Sequence, residues 1–91
     1  MRAAKVDENQ AAIVDCFRKL GFSVQCLHTV GKGVPDLLIA KAGINYLVEV
    51  KMPKGTLTKD QVKWHDEWRG DIHIVRCIDD VLTLSSSVFS A

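Results

Sequence analysis

The sequence predicts an α/β fold, a mixed four-stranded sheet flanked by helices in the order αβββαβα. Three observations carry this. Ile13, Val14, Phe17 and Leu20 recur at helical spacing, and a second helical segment holds Trp64 and Trp68 one turn apart. Four short strand-like runs cover residues 22–27, 36–40, 45–51 and 72–76. Ala42-Gly43 joins the second and third runs by a turn so short that they form an antiparallel hairpin.

The elements follow in chain order. Asp7 reads as an N-cap with Gln10 as its capping-box partner, so the first helix runs from about residue 8 to 20 and stops at Gly21. Phe22-Ser23-Val24-Gln25-Cys26-Leu27 alternates as a strand does. Gly31-Lys32-Gly33 is a turn, since both glycines are free to take positive φ. After the hairpin, Met52-Pro53-Lys54-Gly55-Thr56 is a loop. Thr58 then caps the second helix with Gln61 in the capping-box position, and Gly70 ends it. Ile72 to Arg76 forms the fourth strand. Asp79 or Asp80 caps a short last helix through Val81, Leu82 and Leu84, and the tail from Ser85 to Ala91 is expected to fray. Helices packed on such a sheet form one domain, 1–91, with its core at about 7–84.

Composition narrows the function. The chain is 47% hydrophobic and 25% charged, an ordinary globular balance, and its net charge of +1 does not announce a polyanion binder. Local charge says more. From Lys32 to Lys63 six lysines face three acids, Asp36, Glu49 and Asp60. If two of those acids held a metal ion, the stretch would be positive enough for a nucleic acid. Three scattered cysteines, Cys16, Cys26 and Cys77, lack CxxC spacing and argue against a zinc knuckle or disulfide framework. They read as reduced, buried thiols of an intracellular protein. The N-terminal residues lack a signal peptide's apolar segment, and no apolar run approaches a membrane span.

The chemistry concentrates at Pro35-Asp36 and Glu49-Val50-Lys51, whose carboxylates are thirteen residues apart. Glu49 and Lys51 share one face of their strand, about 6–7 Å apart, while Val48 and Val50 face the core. Closing the hairpin brings Asp36 beside Glu49. Two carboxylates that close repel, and a divalent cation removes the conflict. Mg²⁺ typically takes one or two carboxylates, waters and phosphate oxygens, and the Val50 main-chain carbonyl is a third candidate ligand. Lys51 is then placed to orient water or neutralise charge on a phosphate, an arrangement suited to phosphodiester hydrolysis.

These residues resemble the PD-(D/E)xK nuclease superfamily. Gly33-Val34-Pro35-Asp36-Leu37-Leu38-Ile39, Tyr46-Leu47-Val48-Glu49-Val50-Lys51 and Leu57-Thr58-x-x-Gln61-x-x-Trp64-His65 are similar to the VRR-Nuc family, over about residues 7 to 84. The resemblance implies a restriction-endonuclease-like core. It also implies a Mg²⁺-dependent endodeoxyribonuclease, with Mn²⁺ able to substitute. Stand-alone phage members of this kind resemble Holliday-junction resolvases acting as homodimers on branched DNA. That points to a cytoplasmic, phage- or prophage-encoded protein with no membrane partner. Carried over, Asp36 and Glu49 match the metal ligands and Lys51 the catalytic lysine. Gln61 matches a glutamine that supports the site, and it reads equally as a helix cap. The glutamate such families carry on the first helix falls near Ala12 here. Glu8 either replaces it or is a first-turn acid favoured by the helix dipole. Should nothing replace it, the alternative is a non-catalytic nucleic-acid-binding module.

Among the remaining residues, Lys32, Lys54 and Lys59 are candidate DNA contacts. Trp64 and Trp68 suit base stacking, a dimer interface or the core, with core packing of at least one expected. His65 recurs in the family pattern without an evident mechanism. His28 and His73 show no ligand spacing.

Overall fold

The computed structural model describes residues 7–89 of the chain, with side chains to Ser87. Its elements are α1 (Gln10–Lys19), β1 (Ser23–Cys26), β2 (Leu37–Lys41), β3 (Ile44–Val50), α2 (Lys59–Glu67), β4 (Ile72–Val75) and α3 (Ile78–Phe89). The order is αβββαβα, as the sequence predicts. The sheet runs β1-β2-β3-β4, antiparallel at the first two pairings and parallel at β3/β4. It is therefore mixed, and α2 is the crossover that a parallel pair requires. Among the described residues no helix is long and apolar enough to cross a membrane.

Strand alternation divides the sheet into two unlike faces. Leu37, Ile39, Val48, Val50 and Val75 point inward against α1 and α3, whose Ile13, Val14, Phe17, Val81 and Leu84 complete the core. Phe17 is fully buried and meets Phe22 edge-on, with centroids 5.3 Å apart. The other face carries Leu38, Leu47 and Glu49, and among the described helices α2 lies over it. No α2 residue is buried. That helix is held by its cap and by side-chain bonds rather than by a hydrophobic stripe.

The β2/β3 hairpin closes through Ala42 and Gly43, both at positive φ (53° and 80°), the pair of conformations that matches strand twist in a two-residue loop. The turn before β2 is more unusual. Gly31, Lys32 and Gly33 all take positive φ. A Cβ at Gly33 would run into the Asp60 carbonyl, so this turn packs backbone-to-backbone on the start of α2.

Five expectations are corrected. Asp7 and Gln10 form no capping box: the N-cap is Asn9, without a side-chain cap bond, and Gln10 is buried with Oε1 lacking a partner. The Asn9 amide serves the strand ends instead, and Asp7 supports α1 only through its main-chain oxygen, which accepts from Gln10 N–H at 3.0 Å. Gly70 does not end α2, which stops at Glu67 because Trp68 turns extended and stacks on Trp64, 4.6 Å between centroids. Neither Trp is in the buried core: Trp64 is half-buried and Trp68 is 47% exposed. Ser85 to Phe89 are helical rather than frayed, with Ser87 Oγ donating back to the Leu84 carbonyl at 3.4 Å; residues 90–91 lie outside the described residues. The cysteines are free, yet Cys16 and Cys26 are half-buried and Cys77 is exposed.

Candidate active site

The β2/β3 register builds the site. Leu37 pairs with Val48, so the residue before it, Asp36, stands opposite Glu49. Both point to the α2 face. Two residues past Val48, the Val50 main chain has left β2 behind and meets the Asp36 side chain instead. Val50 N–H donates to Asp36 Oδ2 at 2.8 Å. In a strand the carbonyl of a residue points to the same edge as its N–H, so Val50 C=O faces the Asp36 side as well. Lys51 follows immediately. Its N–H donates to Val75 O at 3.0 Å, and its side chain is buried to 9% exposure.

Glu49 is fully buried. Its carboxyl is raised from the ordinary range to about 9, first by burial, then by a hydrogen bond and charge from Asp36. The Lys51 ammonium pulls the other way, and Asp7 adds a smaller upward push. The upward shift favours the protonated form of the metal-free carboxyl, which relieves the repulsion expected between two close carboxylates.

α2 supplies the rest. Thr58 Oγ1 accepts from Gln61 N–H at 3.2 Å, and Gln61 Oε1 accepts from Thr58 N–H at 2.9 Å, a complete capping box. The same Gln61 donates through Nε2 to Glu49 Oε2 at 3.3 Å. Cap and site support are one side chain doing both, so the two readings of Gln61 are compatible. One turn on, His65 Nε2 lies 3.2 Å from Glu49 Oε1. Burial lowers the His65 pKa; Asp66 opposes this and Lys51 adds to it. A neutral His65 protonated on Nε2 donates to the Glu49 oxygen. Sequence reasoning left His65 without a role, although its spacing of four from Gln61 puts both on one helix face.

The structure thus brings together Asp36, Glu49, Val50, Lys51 and Gln61, and adds His65. Glu8 is not brought in: it is exposed and sits in the turn preceding α1, and Asp7 is the N-terminal acid whose charge reaches Glu49. Ala12 is exposed. Lys32, Lys54 and Lys59 are all exposed, with Lys32 held at φ 55° in the turn that leads into Asp36.

The donor set fits a hard divalent cation. It offers two carboxylates and a main-chain carbonyl, all oxygen. Among the described residues no cluster of three or more His, Cys, Asp or Glu side chains could hold a metal, so further ligands would come from main chain, water or phosphate. The Asp36–Glu49 pair, two carboxyl groups set opposite each other with Glu49 fully buried, is the kind of conflict that a cation resolves.

A family model described as the VRR-NUC domain matches residues 2–77. A solved structure titled "VRR_NUC domain" is similar at 27% identity and a TM-score of 0.72, over 87% of this chain and 91% of that one. No curated protein matches the chain.

Proposed function

Because this chain belongs to the VRR-NUC family, a nuclease domain, we propose that it is a Mg²⁺-dependent endodeoxyribonuclease cutting phosphodiester bonds in branched DNA as a homodimer, in the manner of a Holliday-junction resolvase. The observation that carries the reading is the pairing of half-buried Asp36 with fully buried Glu49 on one sheet face beside Lys51.

Asp36, Glu49 and the Val50 carbonyl would hold the cation. Mg²⁺, or Mn²⁺ in its place, supplies Lewis acidity toward the phosphate and lowers the pKa of water. As a ligand Glu49 would release its proton to solvent, and Gln61 and His65 hold its two oxygens in a fixed plane. Among the described residues no ion pair engages the Lys51 ammonium, which is left to neutralise charge on the phosphate as it is cut. The exposed Lys32, Lys54 and Lys59 contact backbone phosphates on either side of the scissile bond.

Symmetric cutting of a junction needs two sites related by a two-fold axis, which a second copy supplies. The sheet face beside α2 suits that copy. Leu38 (37% exposed) and Trp68 (47% exposed) border an apolar recess of about 470 Å³ that also includes Leu47 and Trp64. It adjoins the helix whose Gln61 and His65 hold Glu49, so dimerisation there would keep the two sites near each other.

Exposure of both Glu8 and Ala12 favours a second reading, a non-catalytic nucleic-acid-binding module. One experiment separates them. Labelled duplex, flap, splayed-arm and four-way DNAs are incubated with Mg²⁺ or with chelator. The nuclease reading expects product from branched substrates with Mg²⁺ only; the binding module gives metal-independent complexes and no product.

A further inference from the structure

We infer that Asn9 is a positioning residue, a latch that sets where Lys51 leaves the sheet. Its side-chain Nδ2 donates two bonds, to Lys51 O at 3.1 Å and to Arg76 O at 2.9 Å. Those carbonyls belong to the residues immediately after β3 and β4. The parallel pairing ends at Val50 and Val75, and Lys51 N–H to Val75 O follows it. Beyond that bond the strands have no further ladder, and the Asn9 amide ties them together.

The side-chain chemistry fits the task. A carboxamide nitrogen carries two hydrogens in one plane and no charge, so it can serve two acceptors at once. Asparagine at an N-cap ordinarily turns its oxygen back to the helix. Here it makes no cap bond, and its Oδ1 is buried without a partner. The residue forgoes its local role in favour of the two strand ends.

The latch reaches further through Arg76. Its N–H donates to Asp80 Oδ2 at 2.8 Å, and its Nη1 donates to Gly55 O at 3.0 Å. Gly55 lies in the loop that follows Lys51. Lys51 therefore starts from a backbone held at its N–H by Val75 and at its carbonyl by Asn9, with the exit loop pinned by Arg76. An ammonium on a four-carbon stem is directed only as well as its Cα is fixed. The kinetic consequence rests on the nuclease reading given above.

The test uses Asn9→Ser and Asn9→Asp in the full chain. Serine caps a helix as well as asparagine does, yet is too short to bridge both carbonyls. Aspartate keeps the shape and removes both donors. Val14→Ala, a core change on the same helix, serves as the stability control. Both Asn9 variants are expected to lose at least tenfold in single-turnover cleavage of four-way DNA with Mg²⁺, with the half-saturating DNA concentration unchanged. Val14→Ala, assayed below its melting temperature, keeps the wild-type rate. Equal rates in wild type and both Asn9 variants, or full function in Asn9→Asp, would overturn the inference. The Lys51 Hε–Cε NMR correlation, compared between wild type and Asn9→Ser, decides it independently of cleavage. A move toward the positions of the exposed lysines supports the latch, and an unmoved signal rejects it. If wild-type protein cuts nothing, the nuclease reading fails while this signal still decides the role of Asn9.

Discussion

Replacing Glu49 by glutamine should make the metal-free protein less sensitive to rising pH. In the wild type this carboxyl is raised from 4.5 to about 9, chiefly by burial. Between those values the folded protein keeps a proton that the unfolded chain has released. The group's contribution to stability is therefore full below about pH 4.5 and is lost as pH rises through 9. The slope for one such group is about 1.4 kcal/mol per pH unit. From pH 5.5 to pH 8 the wild type should lose about 3 kcal/mol relative to Glu49→Gln, which has no proton to release there. Any fixed offset from the altered contact with Gln61 shifts the variant equally at all pH values. Urea unfolding followed by tryptophan fluorescence, in chelator, at half-unit pH steps measures the difference. Mg²⁺ should restore the wild type at pH 8 and leave the variant unchanged, because binding demands the ionised carboxylate. A stability difference that is flat with pH, or that grows in favour of the wild type, would refute the buried, protonated Glu49.

Asp36→Ala and Lys51→Ala should each abolish Mg²⁺-dependent cleavage while circular dichroism stays native; product from a clean Asp36→Ala preparation would reject the assignment. Gln61→Glu keeps the capping-box acceptor but replaces the donor to Glu49 with a repelling carboxylate, so cleavage should fall about 10–100-fold while circular dichroism stays native. Gly33→Ala should destabilise the fold by about 2 kcal/mol in urea titration, because φ is 86° and the new methyl meets the Asp60 carbonyl.

The parts of this molecule that were legible in the sequence are those set by local chemistry. Ala42-Gly43 specified a two-residue hairpin, and hairpin closure alone put Asp36 across from Glu49. Thr58 and Gln61 announced the start of α2 for the same reason, since both halves of a capping box lie within four residues. Where long-range contacts compete with local preference, local signals mislead. Asn9 has partners 42 and 67 residues away, and meeting them displaced the expected Asp7–Gln10 box. Trp68 left α2 early to stack on Trp64, so the glycine stop at position 70 was never reached. The serines after Leu84 argued for a frayed end, yet α3 continues to Phe89. Spacing would have exposed His65, four residues beyond Gln61. Glu8 counts as a first-turn acid only for a helix beginning near residue 8, and α1 begins two residues later, at Gln10.

In the proposed site Asp36 and Glu49 share one divalent ion. Anomalous scattering from crystals grown with Mn²⁺ tests it most directly. A peak is expected within about 2.0–2.6 Å of oxygens from both carboxylates, absent in Asp36→Ala crystals. A well-ordered site with no such peak, or a manganese bound elsewhere with both carboxylates still facing each other across a shared proton, would contradict it.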